Sequence, residues 1–178
     1  MNKYFFISIT LIILSACSIT QRPRYAISVD NIYKLKSYEG VKVEVLSFNK
    51  SAKFDPNCRL MGPIELADGL TIPQFISKAF NDEFKMAGIY SIEGIKLSGD
   101  VTKIEFTSVS DVTNGYWDIG LRLNSSNGKS LSVSNKYTFK SGFDALTACN
   151  ATADALSPAV QDLIKATINH PEFGKLLE

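Results

Sequence analysis

The run GYWDIGLRLNSSNGKSLSVSNKYTFK, residues 115–140, decides the fold. Its first half alternates Trp117, Ile119, Leu121 and Leu123 with polar or small residues. The second half repeats the pattern with Leu131, Val133, Tyr137 and Phe139. Alternation with a period of two puts each set on one face of a β-strand. The intervening residues of the second half, Ser132, Ser134, Lys136 and Thr138, predict a solvated opposite face. Asn127-Gly128 lies between the halves, and such dipeptides suit a tight hairpin turn with positive backbone angles. Asn114-Gly115 predicts a second turn just upstream.

Working outward, residues 95–109 (IKLSGDVTKIEFTSV) carry Ile95, Leu97 and Val101 on one parity and Ile104 and Phe106 on the other. A switch of parity inside one strand predicts a bulge near Thr102 and Lys103. The three runs make an antiparallel meander. Before them, TIPQFISKAFNDEFKMAG (71–88) predicts a helix. Thr71 and Gln74 form a capping box, Pro73 falls in the first turn, and Gly88 supplies a left-handed stop. Phe75, Ile76, Ala79, Phe80, Phe84 and Ala87 recur at helical spacing, as a helix pressed on a sheet requires.

VKVEVLSF (41–48) reads as a further strand, with Val41, Val43, Val45 and Ser47 on one face. Residues 143–168 again have helical period, interrupted by Pro158. That proline either kinks one long helix or starts a second one capped by Ser157. The order strand, helix, three-strand meander, helix predicts an α+β fold, a two-layer sandwich with the helices on one face of the sheet.

The chain opens MNKYFFISITLIILSA, with Lys3 ahead of an apolar stretch of signal-peptide length. It falls short of the roughly 20 apolar residues that span a bilayer. Leu14-Ser15-Ala16-Cys17 follows and resembles the lipobox of bacterial lipoproteins. The resemblance implies a diacylglycerol on the Cys17 sulfur, cleavage before that residue and acylation of the new amino terminus. Two or three acyl chains anchor a protein stably where one is marginal. Residues 1–16 are then a signal peptide, 17–40 a lipidated N-terminus and tether, and 41–178 a single α+β domain. YAISV (25–29) within the tether is a possible edge strand. Ser18, where inner-membrane lipoproteins of the enteric type carry Asp, implies the outer membrane and a domain facing the periplasm.

The element order and the helix ISKAFNDEFKMAGIY also resemble small Gram-negative outer-membrane lipoproteins. These include activators of penicillin-binding proteins, auxiliary lipoproteins of lipid-trafficking ABC transporters, and small uncharacterised lipoproteins. Such families bind partners in the envelope, which implies a non-catalytic adaptor for an envelope protein, bound by strand addition at an open sheet edge or through the loop around Cys58. With Cys17 acylated, Cys58 and Cys149 are an even pair in an oxidising compartment and are expected to form a disulfide. The competing reading, a reactive thiol or metal ligand, lacks a second His or a Cys-x-x-Cys spacing. No metal and no cofactor beyond the lipid on Cys17 is expected.

The chain has 19 basic and 18 acidic residues, and loss of Lys3 with the signal balances them. A neutral surface argues against a nucleic-acid partner. Enzyme chemistry finds little to use. The single histidine, His170, precedes Pro171 at the end of the last helix, and no Gly-x-Ser-x-Gly elbow, phosphate loop or dinucleotide fingerprint occurs. Asp82 and Glu83 are adjacent on a helix and point in different directions, as on a solvated face and not as in a glycosidase pair.

Arg59, Leu60 and Met61 place charge beside apolar groups in the loop around Cys58. They are either a partner-binding site or, for Leu60 and Met61, a plug for the core under a pinned loop. The alternative function is a carrier of lipid or another hydrophobic ligand, with Phe80, Phe84, Trp117, Phe139 and Phe143 lining a cavity between helices and sheet. Replacing Cys17 with Ala is expected to abolish metabolic labelling by a palmitate analogue and to release the protein from membranes, as read by in-gel detection and fractionation.

Overall fold

The computed structural model describes residues 19–178, apart from Asn49 and the side chains of Lys50 and Ser51. The elements are α1 (Val29–Leu35), β1 (Val43–Val45), β2 (Lys50–Ser51), α2 (Ile72–Ala87), β3 (Ile95–Thr107), β4 (Asn114–Ser125), β5 (Ser130–Lys140), α3 (Ala145–Asp154) and α4 (Leu156–Ile168). Short 3-10 turns follow α1 and end the chain at Gly174–Leu177. The sheet runs β1-β3-β4-β5, with β2 beside β3 further along the same edge. β1 and β2 are parallel to β3, while β3, β4 and β5 form the antiparallel meander. The helices pack on one sheet face, making the two-layer α+β sandwich. Among the described residues no helix is long and apolar enough to cross a membrane.

Helix α2 begins and ends where its side chains dictate. Thr71 Oγ1 accepts from the Gln74 N–H, Gln74 Oε1 accepts from the Thr71 N–H, and Gly88 closes the helix at φ 79°. Its buried stripe, Ile72, Phe75, Ile76, Ala79, Phe80 and Phe84, forms much of the core with Leu97, Trp117, Ile119, Leu121 and Leu123 of the sheet.

The parity switch in β3 is a bulge. Val101 pairs with Leu121 and Lys103 with Gly120, so Thr102 is the extra residue. It returns Ile104, opposite Ile119, and Phe106, opposite Trp117, to the face that already carries Leu97 and Val101. Gly120 makes room, because a Cβ there would lie 2.8 Å from Thr102 Oγ1. The other sheet face is polar. Lys103 Nζ is 2.7 Å from Asp118 Oδ2, Lys136 Nζ lies 3.8 Å from the Tyr116 ring centroid, and Ser132, Ser134, Lys136 and Thr138 are exposed.

Four expectations change. Asn114-Gly115 is not a turn: it opens β4, and Asp111 Oδ1 reverses the chain earlier by accepting from the Thr113 and Asn114 N–H groups. Gly115 is required because a Cβ would meet the Phe139 ring at 2.5 Å. Secondly, the strand from Val41 breaks after Val45, and Phe48 takes the inward position in place of exposed Ser47. Phe48 packs directly over Gly99, where a Cβ would come within 2.4 Å of its ring.

Thirdly, the last helical segment divides at Ala155 and not at Pro158, which sits in the first turn of α4. Ser157 is a buried helical residue whose Oγ accepts from the Ala26 N–H instead of capping the helix. Finally, the fold begins before Val41. Leu35 and Asn31 are buried, and the extended stretch before α1 is held by side chains and makes no strand. Asn150 Oδ1 accepts from the Thr20 N–H at 3.0 Å, and Gln161 Nε2 donates to the Ala26 carbonyl at 2.6 Å. Cys17 lies outside the described residues.

Gly99→Ala is expected to lower stability by about 1–3 kcal/mol through overpacking against Phe48, seen as a reduced denaturation midpoint with an unchanged slope.

Candidate binding site

The loop between β2 and α2 is built around one reversal. Asn57 bridges Pro63, the Cys58 N–H donates to the Gly62 carbonyl at 2.9 Å, and the Met61 N–H donates back to Cys58. Arg59 sits at φ 52° and Gly62 at φ 88°, so the tip is tight enough to need two left-handed residues, one without the freedom of glycine. Cys58 and Cys149 are joined by a disulfide across 91 residues, which fixes the loop to α3. Both cysteines are buried.

The three residues singled out at this tip separate. Arg59 Nε donates to Ser108 Oγ at 2.9 Å, linking the tip to the end of β3. Leu60 is 98% exposed and plugs nothing. Met61 packs against the core, and its carbonyl accepts from the Ile19 N–H.

Beside the loop lies an open groove of about 870 Å³. Phe54, Pro56, Ile64, Leu66, Leu70 and Ile72 give it apolar walls, with Ile104 of β3 among them. An Arg22–Glu65 ion pair of 3.1 Å, exposed on both sides, marks its rim. A smaller cleft of about 440 Å³ continues past Phe54 between residues 53–57 and the C-terminal residues of β3. Nothing in the sequence pattern pointed to the groove, because its walls come from a loop without periodicity.

The edge of β3 is unpaired where it meets these spaces. Leu97 and Val101 turn their carbonyls to this edge and accept from the N–H groups of Leu46 and Ala52. The register with β2 ends at Val101, and among the described residues no further strand pairs with β3 on this side. The groove therefore offers apolar sockets next to main-chain groups of a strand edge.

The side chains proposed to line an interior cavity are packed instead. Phe80, Phe84 and Trp117 are fully buried, the Trp117 Nε1–H donates to the Thr152 carbonyl at 2.9 Å, and Phe106 stacks on Trp117 at 4.8 Å. Phe139 is partly buried against the core, and Phe143 is 81% exposed. The groove lies instead at the periphery, where Thr71, Ile72 and Pro73 at the start of α2 approach Ile104 of β3 and the Cys58 loop. His170 is engaged locally: its Nδ1 accepts from the Glu172 N–H.

One buried acid holds the N-terminal stretch. Glu83 on α2 is fully buried and not, as expected, on a solvated face, because the N-terminal stretch covers it: its Oε1 accepts from Tyr25 Oη, from Asn31 Nδ2 at 3.2 Å and from the Ser28 N–H at 3.3 Å. Glu83 Oε2 and Asn31 Oδ1 are buried without partners. Burial outweighs the donors and holds the Glu83 carboxyl above the usual carboxylate range. The Tyr25 phenol is pushed up by burial and then by Glu83, so it stays a donor.

No known protein family and no curated protein matches the sequence. Among solved structures, the chain is similar to a Xanthomonas campestris protein assigned to family DUF330, at 15% identity and a TM-score of 0.48, covering 72% of this chain and 84% of that one. It is also similar to a candidate lipoprotein from Caulobacter crescentus, at 11% identity and a TM-score of 0.44, covering 76% and 88%. Likeness at this level carries no argument about ligand or function.

Removing the disulfide with Cys58→Ala and Cys149→Ala together is expected to cost about 2–5 kcal/mol, measured by denaturant unfolding against the oxidised protein. For Glu83 the sign follows from a raised folded-state pKa. Its contribution is whole below the unfolded carboxylate range and is lost as pH rises through the folded value. Wild-type stability should therefore fall relative to Glu83→Gln as pH rises from about 4 towards 8, in unfolding curves taken across that range.

Proposed function

We propose that the protein is a non-catalytic, lipid-anchored adaptor of the cell envelope that binds an extended apolar segment of a partner protein in the groove beside β3. The observation that carries this reading is the coincidence of an apolar groove with an unpaired strand edge. An added strand takes its affinity from main-chain hydrogen bonds and its specificity from sockets for alternate side chains. Leu66, Leu70 and Phe54 are placed to supply such sockets beside Ile104. The lipobox at Cys17 supplies the membrane, and outer-membrane sorting with the domain in the periplasm completes the proposal.

A lipid carrier would use the apolar walls but leave the strand edge idle. The two readings separate by what is captured. With a photo-crosslinking side chain at Leu70, ultraviolet irradiation of intact cells should give a discrete protein adduct, and Leu66→Glu in the same groove should remove it. Adducts with lipid alone would favour the carrier, and no adduct at Leu70 would overturn binding at this groove.

A further inference from the structure

We infer that one end of the sandwich, formed by the β3–β4 loop, the β5–α3 connection and the tip of the Cys58 loop, is a membrane-docking face that inserts side chains into the bilayer holding the anchor. This rests on the lipid-anchored reading of Cys17.

Five of the eleven exposed large hydrophobic side chains among the described residues belong to these segments or to the first turn of α3 that follows: Leu60 (98% exposed), Phe143 (81%), Val112 (73%), Val109 (45%) and Leu146 (37%). The segments are tied into one surface. Arg59 binds Ser108, Ser141 Oγ donates to the Ser108 carbonyl, the Ser141 N–H donates to the Thr113 carbonyl at 2.8 Å, and the disulfide joins the Cys58 loop to α3 one turn beyond Leu146. Exposed apolar side chains gathered in one place mark an interaction surface.

The path of the chain says what covers it. The Ile19 N–H donates to the Met61 carbonyl at 3.4 Å, and Thr20 and Gln21 are held by Asn150 of α3. The N-terminal chain therefore reaches the domain beside Leu60 and Leu146. Cys17 is two residues upstream of Ile19, so an acyl-bearing Cys17 stands within about 7 Å of that contact even in extended chain. So short a connection holds this end of the domain against the bilayer surface. The acids here stay ionised: Asp111 accepts from Thr113 and Asn114 and faces the positive charge of Lys140, and Asp144 Oδ1 accepts from the Thr147 N–H, so both carboxylates belong at the polar headgroup level. None of the five apolar residues lines the groove beside β3, so docking leaves the groove walls to a partner.

The test uses the full mature chain with its acyl groups, reconstituted into phosphatidylcholine vesicles and collected by flotation. Nitroxides are placed by Val112→Cys and Phe143→Cys, with Ile92→Cys, 62% exposed at the opposite end of β3, as reference. Collisional relaxation by oxygen and by a water-soluble nickel chelate reads their depth. The expected result is that positions 112 and 143 are shielded from nickel and open to oxygen, while position 92 shows the reverse. Protein that floats with all three labels equally open to nickel overturns docking while leaving the anchor intact. Protein that fails to float overturns the anchor reading and docking with it. Leu60→Asp combined with Phe143→Asp should keep flotation and return the label at 112 to water; unchanged shielding in that variant also overturns the proposal.

Discussion

The structure depends on β3 keeping a single apolar face along its whole length. It pairs with β1, β2 and β4 and lies under α2, so it bears on every layer. A strand of regular pleat with this sequence would turn Ile104 and Phe106 to solvent. The extra residue at Thr102 turns them back, and Gly120 in the neighbouring strand leaves the space for it. Trp117 then has Phe106 and Phe54 to pack on, and the far half of the core is continuous with the half under α2.

The same strand creates the groove. β1 and β2 together cover only the first part of its outer edge, and between them Phe48 dives into the core over Gly99. Beyond Ala52 the chain leaves the sheet and forms the Cys58 loop, which the disulfide pins to α3 while Arg59 and Phe54 keep it in touch with the end of β3 and with Trp117. Burial of both sulfurs and the tight reversal at Arg59 to Gly62 make this loop a rigid wall and not a flap.

Periodicity made the meander, α2 with both its caps, and the bulge legible, because each rests on residues close in sequence. The disulfide partners followed from a count once Cys17 was set aside. What stayed hidden depends on distant residues. Asn114-Gly115 has turn chemistry, but the ring of Phe139 and the side chain of Asp111 decide its place. The division at Ala155 and the inward Ser157 follow from the N-terminal stretch crossing α4, which no local pattern announces. Residues 19–40 read as a polar tether because their attachments follow no period: main-chain bonds at Ile19 and Pro23, side-chain bonds to Asn150, Ser157, Gln161 and Glu83, and the isolated buried Leu35. An open sheet edge was expected as one way to bind a partner, but which edge stays open and what walls it were hidden, because the sequence marks strands by what they bury.

The fastening of that N-terminal stretch also sets how the molecule bears load. A pull applied at the N-terminus meets the bonds at Ile19 and Thr20 first, and these lead to Met61 and Asn150, on either side of a covalent crosslink between loop and helix. The disulfide keeps those two acceptors in place while the exposed hydrogen bonds to them yield, and the load then passes along the segment to Ala26 and the cluster around Glu83. Peeling therefore starts beside the crosslink and is resisted next by a buried acid.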